Sequence, residues 1–240
     1  LAIGNEVVQN VVLFIYIIQW VAFVPAYILQ TEKFYDLTGS LTYSSVFAYC
    51  IYLTTTGDIN WGSLTISILV ILWAVRLGSF LFLRIAKDGK DKRFTTIKPD
   101  IAQFFMAWTI QGTWIALCSL CAITAIASET GIIINPIFYT GLLMFIGGLA
   151  IEIIADRQKT IFRAVPENRD KFITSGLWSR SRHPNYFGEI TLWTGVAVMS
   201  FSSLSGLEFL TLISPIWTYL LLVKISGVRM LEGIGKKKWG

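Results

Sequence analysis

The sequence predicts an all-α integral membrane protein, built as a bundle of seven transmembrane helices. Hydrophobic residues make up 54% of its 240 residues and charged residues only 15%, well below the roughly 25% charged residues typical of soluble domains. The apolar residues are gathered into runs close to the roughly 20 residues that cross a bilayer. Helices are the expected form of such runs because lipid cannot satisfy open backbone polar groups. Abundant, unrepeated apolar sequence also excludes disordered and collagen-like classes.

Seven apolar runs are the candidate spans. The second is amphipathic and the sixth is short, whereas the others are strongly apolar. We see no internal repeat, which disfavours a transporter built from inverted halves. Because the sequence begins with a residue other than Met and stops after a lysine run, we expect a chain trimmed at both ends. The predicted spans are Val7–Ile28, Leu37–Thr56, Ser63–Ile85, Ile101–Ala127, Pro136–Ile154, Asn185–Ser200 and Phe209–Ile225.

The basic residues all lie on one side of this topology. The 20 Lys and Arg fall in alternate connections, in the tail and at the matching end of the third span. The opposite connections, at residues 57–62, 128–135 and 202–208, contain none. The positive-inside rule therefore places the N-terminus outside and the C-terminus in the cytoplasm. The formal charge of +5 is explained by this placement, and we expect no nucleic-acid partner.

The cysteines and the single histidine do not form a metal-binding pattern. Cys50, Cys118 and Cys121 lie in apolar runs, far from the one histidine of the chain. A Cys/His zinc site and a disulfide framework are both unsupported by this arrangement. We expect three buried, reduced thiols and no metal.

Two acidic residues end the fifth span on one helical face. Glu152 and Asp156 stand four residues apart, and like charges at this spacing repel each other. Ionisable residues inside spans are costly and are candidates for function. Either an ion-pair cluster with Arg157 or Arg163, or the donors of a bound ligand, must offset the repulsion. Arg163 shares the face if the helix continues.

A second cluster covers Ser179–Glu189. Pro184 suits the first position of a helix, with His183 near its N-cap. The unpaired backbone N–H groups of a helix start, preceded by Arg180 and Arg182, predict a site for phosphate or carboxylate. Asn185, Glu189 and Trp193 then repeat every four residues, while Gly188 and Gly195 leave room for a neighbour or ligand.

Two connections carry weaker signals. The segment Gln30–Asp36 is either a solvated loop or the border of a cavity, as Phe34 and Tyr35 indicate. The basic segment Arg84–Phe94 is explained by topology alone, but it also suits phosphate or anionic lipid heads.

Several motifs together resemble the steroid 5α-reductase family, especially its bacterial branch. The resemblance is sharp from Glu152 to Trp193, through Asp156-x-Gln158, Gly176-Leu177-Trp178 and the run from Ser181 to Glu189. It extends to Phe34–Gly39 and Ser226–Val228. The His-Pro-x-Tyr core is less specific, because isoprenylcysteine- and phospholipid-type methyltransferases share it.

The resemblance implies a membrane enzyme that uses NADPH to reduce the 4,5 double bond of a 3-oxo steroid or similar enone. It implies a single domain, with residues 1–100 on the substrate side and 101–240 binding the cofactor. A ketone-binding Gln/Glu pair would be Gln30 and Glu32, with Glu32 protonated by burial. Tyr35 would replace a family tyrosine missing from the third span, with Asp36 as a further candidate. The cofactor candidates are Arg84, Arg93, Glu152, Asp156, Arg163, Arg180, Arg182, His183, Asn185, Tyr186, Glu189, Trp193 and Lys224.

Other readings stay open. A membrane methyltransferase using S-adenosylmethionine explains Arg182-His183-Pro184 equally well, although only Glu232 follows the last span where such enzymes usually carry paired glutamates. A receptor or transporter would leave the Glu152–Trp193 cluster a coincidence. We expect a monomer with a hydrophobic substrate and lipid contacts, in a bacterial inner membrane or an endoplasmic reticulum, and a site open to the cytoplasm.

Overall fold

The computed structural model describes residues 5–55, 58–168 and 171–225, without the side chains of residues 88 and 92. Over this part of the chain the secondary structure is helical, with no strand. Thr56 of the predicted second span and the motif at 226–228 lie outside the described residues. The α-helices are α1 (Glu6–Ile28), α2 (Tyr35–Thr55), α3 (Trp61–Asp88), α4 (Ile101–Ile126), α5 (Pro136–Ala164), α6 (Pro184–Ser200) and α7 (Ile213–Tyr219).

Five helical segments are long and apolar enough to cross a membrane, within the described ranges. They are Glu6–Ile28, Trp61–Lys87, Ile101–Ile126, Pro136–Ala164 and Gly206–Ile225, and the last combines a 3₁₀ segment, α7 and a π-helical segment, Leu220–Ile225. These segments identify a helical membrane protein. The two remaining predicted spans are helices as well, but α2 is more polar and α6 has only 17 residues. Seven spans and the orientation of the termini therefore stay predictions.

Polar side chains fix the start of four helices. Asn5, Asn60, Asp100 and Asn135 each accept hydrogen bonds from backbone N–H groups of the first turn. Such caps satisfy donors that have no partner inside the helix. At the other end of α3, Gly89 adopts a φ of 79°, the left-handed conformation in which glycine commonly ends a helix.

The first compact unit contains the described residues up to Ile133 together with Ser203–Thr211. In it α2 packs along α3, and α1 packs along α4. Polar pairs join its apolar helices: Gln19 Nε2 donates to Thr42 Oγ1 over 2.8 Å, and the hydroxyls of Tyr16 and Thr113 share a 3.0 Å hydrogen bond. The unit therefore has specific polar links within an apolar interior.

The second unit contains Ile134–Ser202 and the described residues from Leu212 onward, and its main contact is between α5 and α6. Two glycine pairs let these helices touch through their backbones. A Cβ on Gly148 would lie 2.5 Å from the carbonyl oxygen of Gly188, and one on Gly141 would lie 2.6 Å from that of Gly195. The space that Gly188 and Gly195 were predicted to leave is thus filled by a neighbouring helix.

The expectation for the thiols is confirmed, because Cys50, Cys118 and Cys121 are buried and unbridged. Among the described residues, no group of three His, Cys, Asp or Glu side chains is placed to hold a metal ion. The chain divides after Ile133, whereas the sequence placed the boundary between a substrate half and a cofactor half at residue 100. The functional assignment of those halves stays a prediction.

Candidate functional site

Among the described residues of the second unit, three carboxylates are buried, on α5 and α6. Glu152 and Asp156 on α5 are 2% and 6% exposed, and Glu189 on α6 is 8% exposed. The close contact between α5 and α6 at their glycines places the start of α6 beside Glu152, since a Cβ on Gly188 would lie 2.7 Å from the backbone nitrogen of Glu152. Such close packing brings the start of α6 against the acidic turn of α5. Buried carboxylates need hydrogen-bond donors or cations around them.

The end of α5 is joined to the segment before α6 by two side chains of the resemblance motif. Gln158 Oε1 accepts the backbone N–H of Leu177 at 3.0 Å, and Trp178 Nε1 donates to the carbonyl oxygen of Ala155 at 3.0 Å. The Lys159 ammonium lies 5.1 Å from the centroid of the same indole. Gly176 has a φ of 62°, and a Cβ at this position would clash with the Gln158 amide. These motif residues therefore have a structural role that their spacing did not reveal.

The predicted anion site at the start of α6 has the expected backbone. Pro184 is the first helical residue and His183 is the N-cap, without a side-chain cap bond. The His183 ring stacks on Tyr186, with centroids 5.5 Å apart. Asn185 and Tyr186 are half-buried. A helix start of this kind carries a partial positive charge and suits an anionic group.

The arginines of this unit line its solvent-exposed segments. Arg163 lies in the last turn of α5, which continues to Ala164 as the shared-face prediction required. Arg163, Arg180 and Arg182 are exposed, whereas Trp193 of the polar stripe is fully buried. An open volume of about 300 Å³ near the end of α5 is lined by Gln158, Ile161, Phe162, Val165, Asn168 and Ser175.

Glu32 forms the central polar contact of the first unit. Glu32 is 4% exposed, and its Oε2 accepts a hydrogen bond from the Lys98 ammonium. Its Oε1 accepts the backbone N–H of Asp91 at 2.8 Å. The α1–α2 connection is thereby bonded to the α3–α4 connection at two points. Lys98 was not among the predicted site residues, because a basic loop was already explained by topology.

The expectation that Glu32 is protonated is wrong. Burial raises the pKa of Glu32, but the hydrogen bonds from Lys98 and Asp91 and the Lys98 charge outweigh it and hold this pKa below its ordinary value of 4.5. The hydrogen bonds and the positive charge of Lys98 each favour the charged form of the carboxyl group. The carboxylate is ionised at neutral pH and accepts hydrogen bonds, so it cannot itself donate a proton to a ketone.

The other catalytic candidates have separate local roles. Gln30, with a φ of 48°, is exposed, and its Nε2 donates to the Tyr27 carbonyl at 2.8 Å. The hydroxyl of Tyr35 donates to the Ala107 carbonyl at 2.8 Å, so its proton is engaged by α4. Asp36 lies 4.0 Å from the Arg93 guanidinium. None of these contacts tests a catalytic role, which stays a prediction for all three.

Three predicted cofactor residues lie far from the buried carboxylates in sequence, and their locations and contacts differ. Arg93 belongs to the first unit, where its Nε donates to Asp91 Oδ2 at 2.8 Å. Arg84, near the end of α3, is exposed. Lys224 is exposed in the π-helical segment of the second unit. Their assignment to a cofactor stays a prediction.

The first unit also contains an aromatic cluster. It contains Phe23, Phe34, Tyr35, Phe94, Phe104 and Trp108. The rings of Phe94 and Trp108 stand 4.8 Å and 5.0 Å from that of Tyr35. Within the described residues, no hydrogen-bond partner is found for Trp108 Nε1 or for the side-chain oxygens of Gln19 and Gln111. Gln19, Gln111 and Trp108 were not among the predicted site residues, although polar side chains inside spans are candidates for function.

The fold and these sites define a helical membrane protein with buried carboxylates in one unit, and with a buried ion pair and an aromatic cluster in the other. The chain belongs to the family described as protein of unknown function (DUF1295), whose model matches residues 5–240.

Curated relatives of two kinds match parts of the chain. The steroid 5α-reductases DET2 of Arabidopsis thaliana and Gossypium hirsutum are 40% and 37% identical, each over 27% of this chain and 25% of the relative. These matches confirm the resemblance to steroid 5α-reductases. A probable O-methyltransferase, ustE of Ustilaginoidea virens, is 32% identical over 42% of this chain and 41% of its own length. The chain thus spans well under half the length of each relative. No solved structure matches it.

Proposed function

We propose that this chain is an NADPH-dependent membrane reductase that acts on the 4,5 double bond of a 3-oxo steroid or a similar conjugated enone. The observation that carries the proposal is the burial of Glu152, Asp156 and Glu189 in the second unit, whose exposed segments contain Arg163, Arg180 and Arg182. The similarity to the two plant steroid 5α-reductases supports it.

The residues of the second unit suit NADPH in kind and in charge. Carboxylates such as Asp156 and Glu189, which are buried, are of the kind that accepts hydrogen bonds from ribose hydroxyls or a carboxamide. Arg163, Arg180 and Arg182 would bind the diphosphate and the 2′-phosphate through charge-assisted hydrogen bonds. The uncapped start of α6 provides a further anion-binding group. The half-buried Asn185 and Tyr186 complete this set.

When bound, NADPH supplies a hydride to the β-carbon of the enone and leaves as NADP⁺. Hydrogen-bond donors at the substrate must then stabilise the negative charge that reaches the ketone oxygen, and a proton from solvent completes the reduction at the α-carbon. Preorganised donors in a water-poor site do this most effectively, each contributing roughly 3–4 kcal/mol in comparable oxyanion sites. The buried connection around Glu32 has the required low exposure.

We further propose seven spans, an outside N-terminus and a site open to the cytoplasm. The one-sided distribution of Lys and Arg supports this orientation. The protein would act as a monomer on a hydrophobic substrate that reaches it from the lipid.

The O-methyltransferase match supports a second candidate function, methyl transfer from S-adenosylmethionine. The buried carboxylates suit the ribose of either cofactor. The arginines favour NADPH, because S-adenosylmethionine carries no phosphate. Titration of the purified protein in detergent with each cofactor separates the two functions, followed by NADPH oxidation on adding an enone steroid. Saturable binding of S-adenosylmethionine alone would refute the reductase proposal.

Two variants test the cofactor residues. We expect Asn185→Ala and Arg163→Ala each to weaken NADPH binding, since one loses an amide and the other a charge. Retained affinity in both would exclude these residues from the cofactor site. Glu32→Gln is expected to lower turnover and to keep NADPH binding. If turnover is retained, Tyr35 or Asp36 becomes the candidate for the ketone-binding role.

A further inference from the structure

We propose that Lys98 is the hydrogen-bond donor that binds the carbonyl oxygen of the substrate, and that Glu32 is the residue that positions it. This inference rests on the proposed reductase function and assigns the donor that the reaction needs. The Lys98 side chain is 20% exposed and that of Glu32 is 3% exposed, so the ion pair is mostly buried and Lys98 is its more accessible member.

Glu32 cannot be the donor, because both of its oxygens already accept hydrogen bonds. The Lys98 ammonium occupies Oε2, and the Asp91 N–H occupies Oε1 at 2.8 Å. A carboxylate held in this way has no proton to offer. Its role is to fix the position of the Lys98 ammonium.

Lys98 has the donors that Glu32 lacks. An ammonium carries three N–H donors, and Glu32 is the acceptor found for its side chain in the described part of the chain. Two donors are therefore left toward the 20% of the side chain that is open. A cation is also the group that best stabilises negative charge developing on a ketone oxygen.

The neighbouring cation is less suited to this role. The guanidinium of Arg93 is engaged by Asp91, with Nε at 2.8 Å from Oδ2, and it also faces Asp36 at 4.0 Å. Two carboxylates thus share its charge. Among the described residues, Lys98 pairs with one carboxylate, and Ile97, its neighbour in sequence, packs against the aromatic cluster. An apolar surface is therefore close to Lys98 along the chain.

The test compares Lys98→Met with Lys33→Met in purified protein, using an enone steroid, NADPH and detergent. Lys33 is exposed and adjacent to Glu32 in sequence, so its loss removes a nearby charge without touching the ion pair. We expect Lys98→Met to reduce kcat/KM for the enone by about 100- to 1,000-fold, as for loss of one oxyanion donor. NADPH affinity should stay unchanged in both variants, and turnover should stay near wild type in Lys33→Met.

A chemical rescue separates catalysis from folding. In Lys98→Cys, 2-bromoethylamine alkylates the thiol with loss of bromide and restores an ammonium two methylene groups beyond the sulfur, which takes the place of the lysine γ-carbon. We expect this treatment to raise the activity of the variant at least about tenfold, since the donor is restored. The native thiols are buried, and wild type treated in the same way is the control. Glu32→Gln should lower kcat less than Lys98→Met, because it displaces the donor without removing it.

The outcomes distinguish this inference from the function on which it depends. If wild type neither binds NADPH nor reduces the enone, the proposed function fails, and the inference fails with it. If wild type is active and Lys98→Met keeps its kcat/KM within about threefold, the reductase stands and the inference is wrong. Loss of activity in Lys98→Cys that aminoethylation does not restore would likewise overturn it.

Discussion

The contact between α5 and α6 predicts opposite effects for alanine at two adjacent glycines. A Cβ on Gly148 would lie 2.5 Å from the Gly188 carbonyl oxygen and 2.6 Å from the Leu192 nitrogen, whereas a Cβ on Gly147 meets nothing within 4 Å. Carbon and oxygen atoms in close contact normally stand roughly 3.3 Å or more apart. The partners of Gly148 are backbone atoms, which cannot rotate away as a side chain does. Gly148→Ala must therefore push the two helices apart.

The size of the effect follows from two terms. Overpacking of a tight interior costs about 1–3 kcal/mol, occasionally more, while alanine gains up to about 1 kcal/mol over glycine inside a helix. The second term applies to both variants, so their difference isolates the steric cost. At about 2–4 °C per kcal/mol for a chain of this size, we expect Gly148→Ala to melt roughly 3–10 °C below Gly147→Ala.

The assay is thermal unfolding in one detergent, followed by tryptophan fluorescence or by loss of soluble monomer. Gly188→Ala approaches the same contact from the other helix, with a Cβ 2.6 Å from the Gly148 carbonyl oxygen. The double variant should cost less than the sum of the singles, because helices already separated by one methyl group admit the second more easily. Equal melting of Gly147→Ala and Gly148→Ala would refute the close crossing.

Three further predictions concern local contacts. The pKa of Glu32 in the folded protein lies below its ordinary value of 4.5. The contribution of the ionised carboxylate to stability is therefore present above pH 4.5 and is lost as the pH falls through the folded pKa. Thermal melts from pH 7 to pH 3 should show wild type losing stability relative to Glu32→Gln, and parallel curves would contradict this. Trp178→Phe removes the indole hydrogen bond to Ala155 and should destabilise by about 1 kcal/mol in chemical denaturation, with no change as the opposing result. Gly176→Ala combines a φ of 62° with a clash against Gln158, whereas Gly89→Ala at 79° meets open space; the former should melt at the lower temperature, and the reverse order would exclude the Gln158 contact.

Elements with a local signature could be predicted from the sequence. The apolar runs fixed the positions of the helices, and Pro184 after His183 fixed the start of α6. Continuation of α5 to Ala164 beyond the apolar run was a condition of the shared-face prediction for Arg163, and it is met. In each case the determining residues lie within a few positions of the feature.

Contacts between distant residues could not be predicted. Glu32 and Lys98 are 66 positions apart, and nothing in either segment marks the other as its partner. Burial alone was therefore taken to set the protonation state of Glu32, with the wrong sign. Likewise Gln158 was noticed as part of a motif. Its hydrogen bond with the Leu177 N–H was not predicted, because the two residues are 19 positions apart and meet only after the chain turns back.

The two bonds of Glu32 couple the motions of two connections. Its carboxylate is attached at Asp91 and at Lys98, which flank the 3₁₀ turn Lys92–Phe94. The α1–α2 connection cannot lift without breaking both bonds or taking that turn with it. Protonation of this one carboxyl group would weaken its bonds to Asp91 and Lys98 together, so that both connections would loosen in a single step.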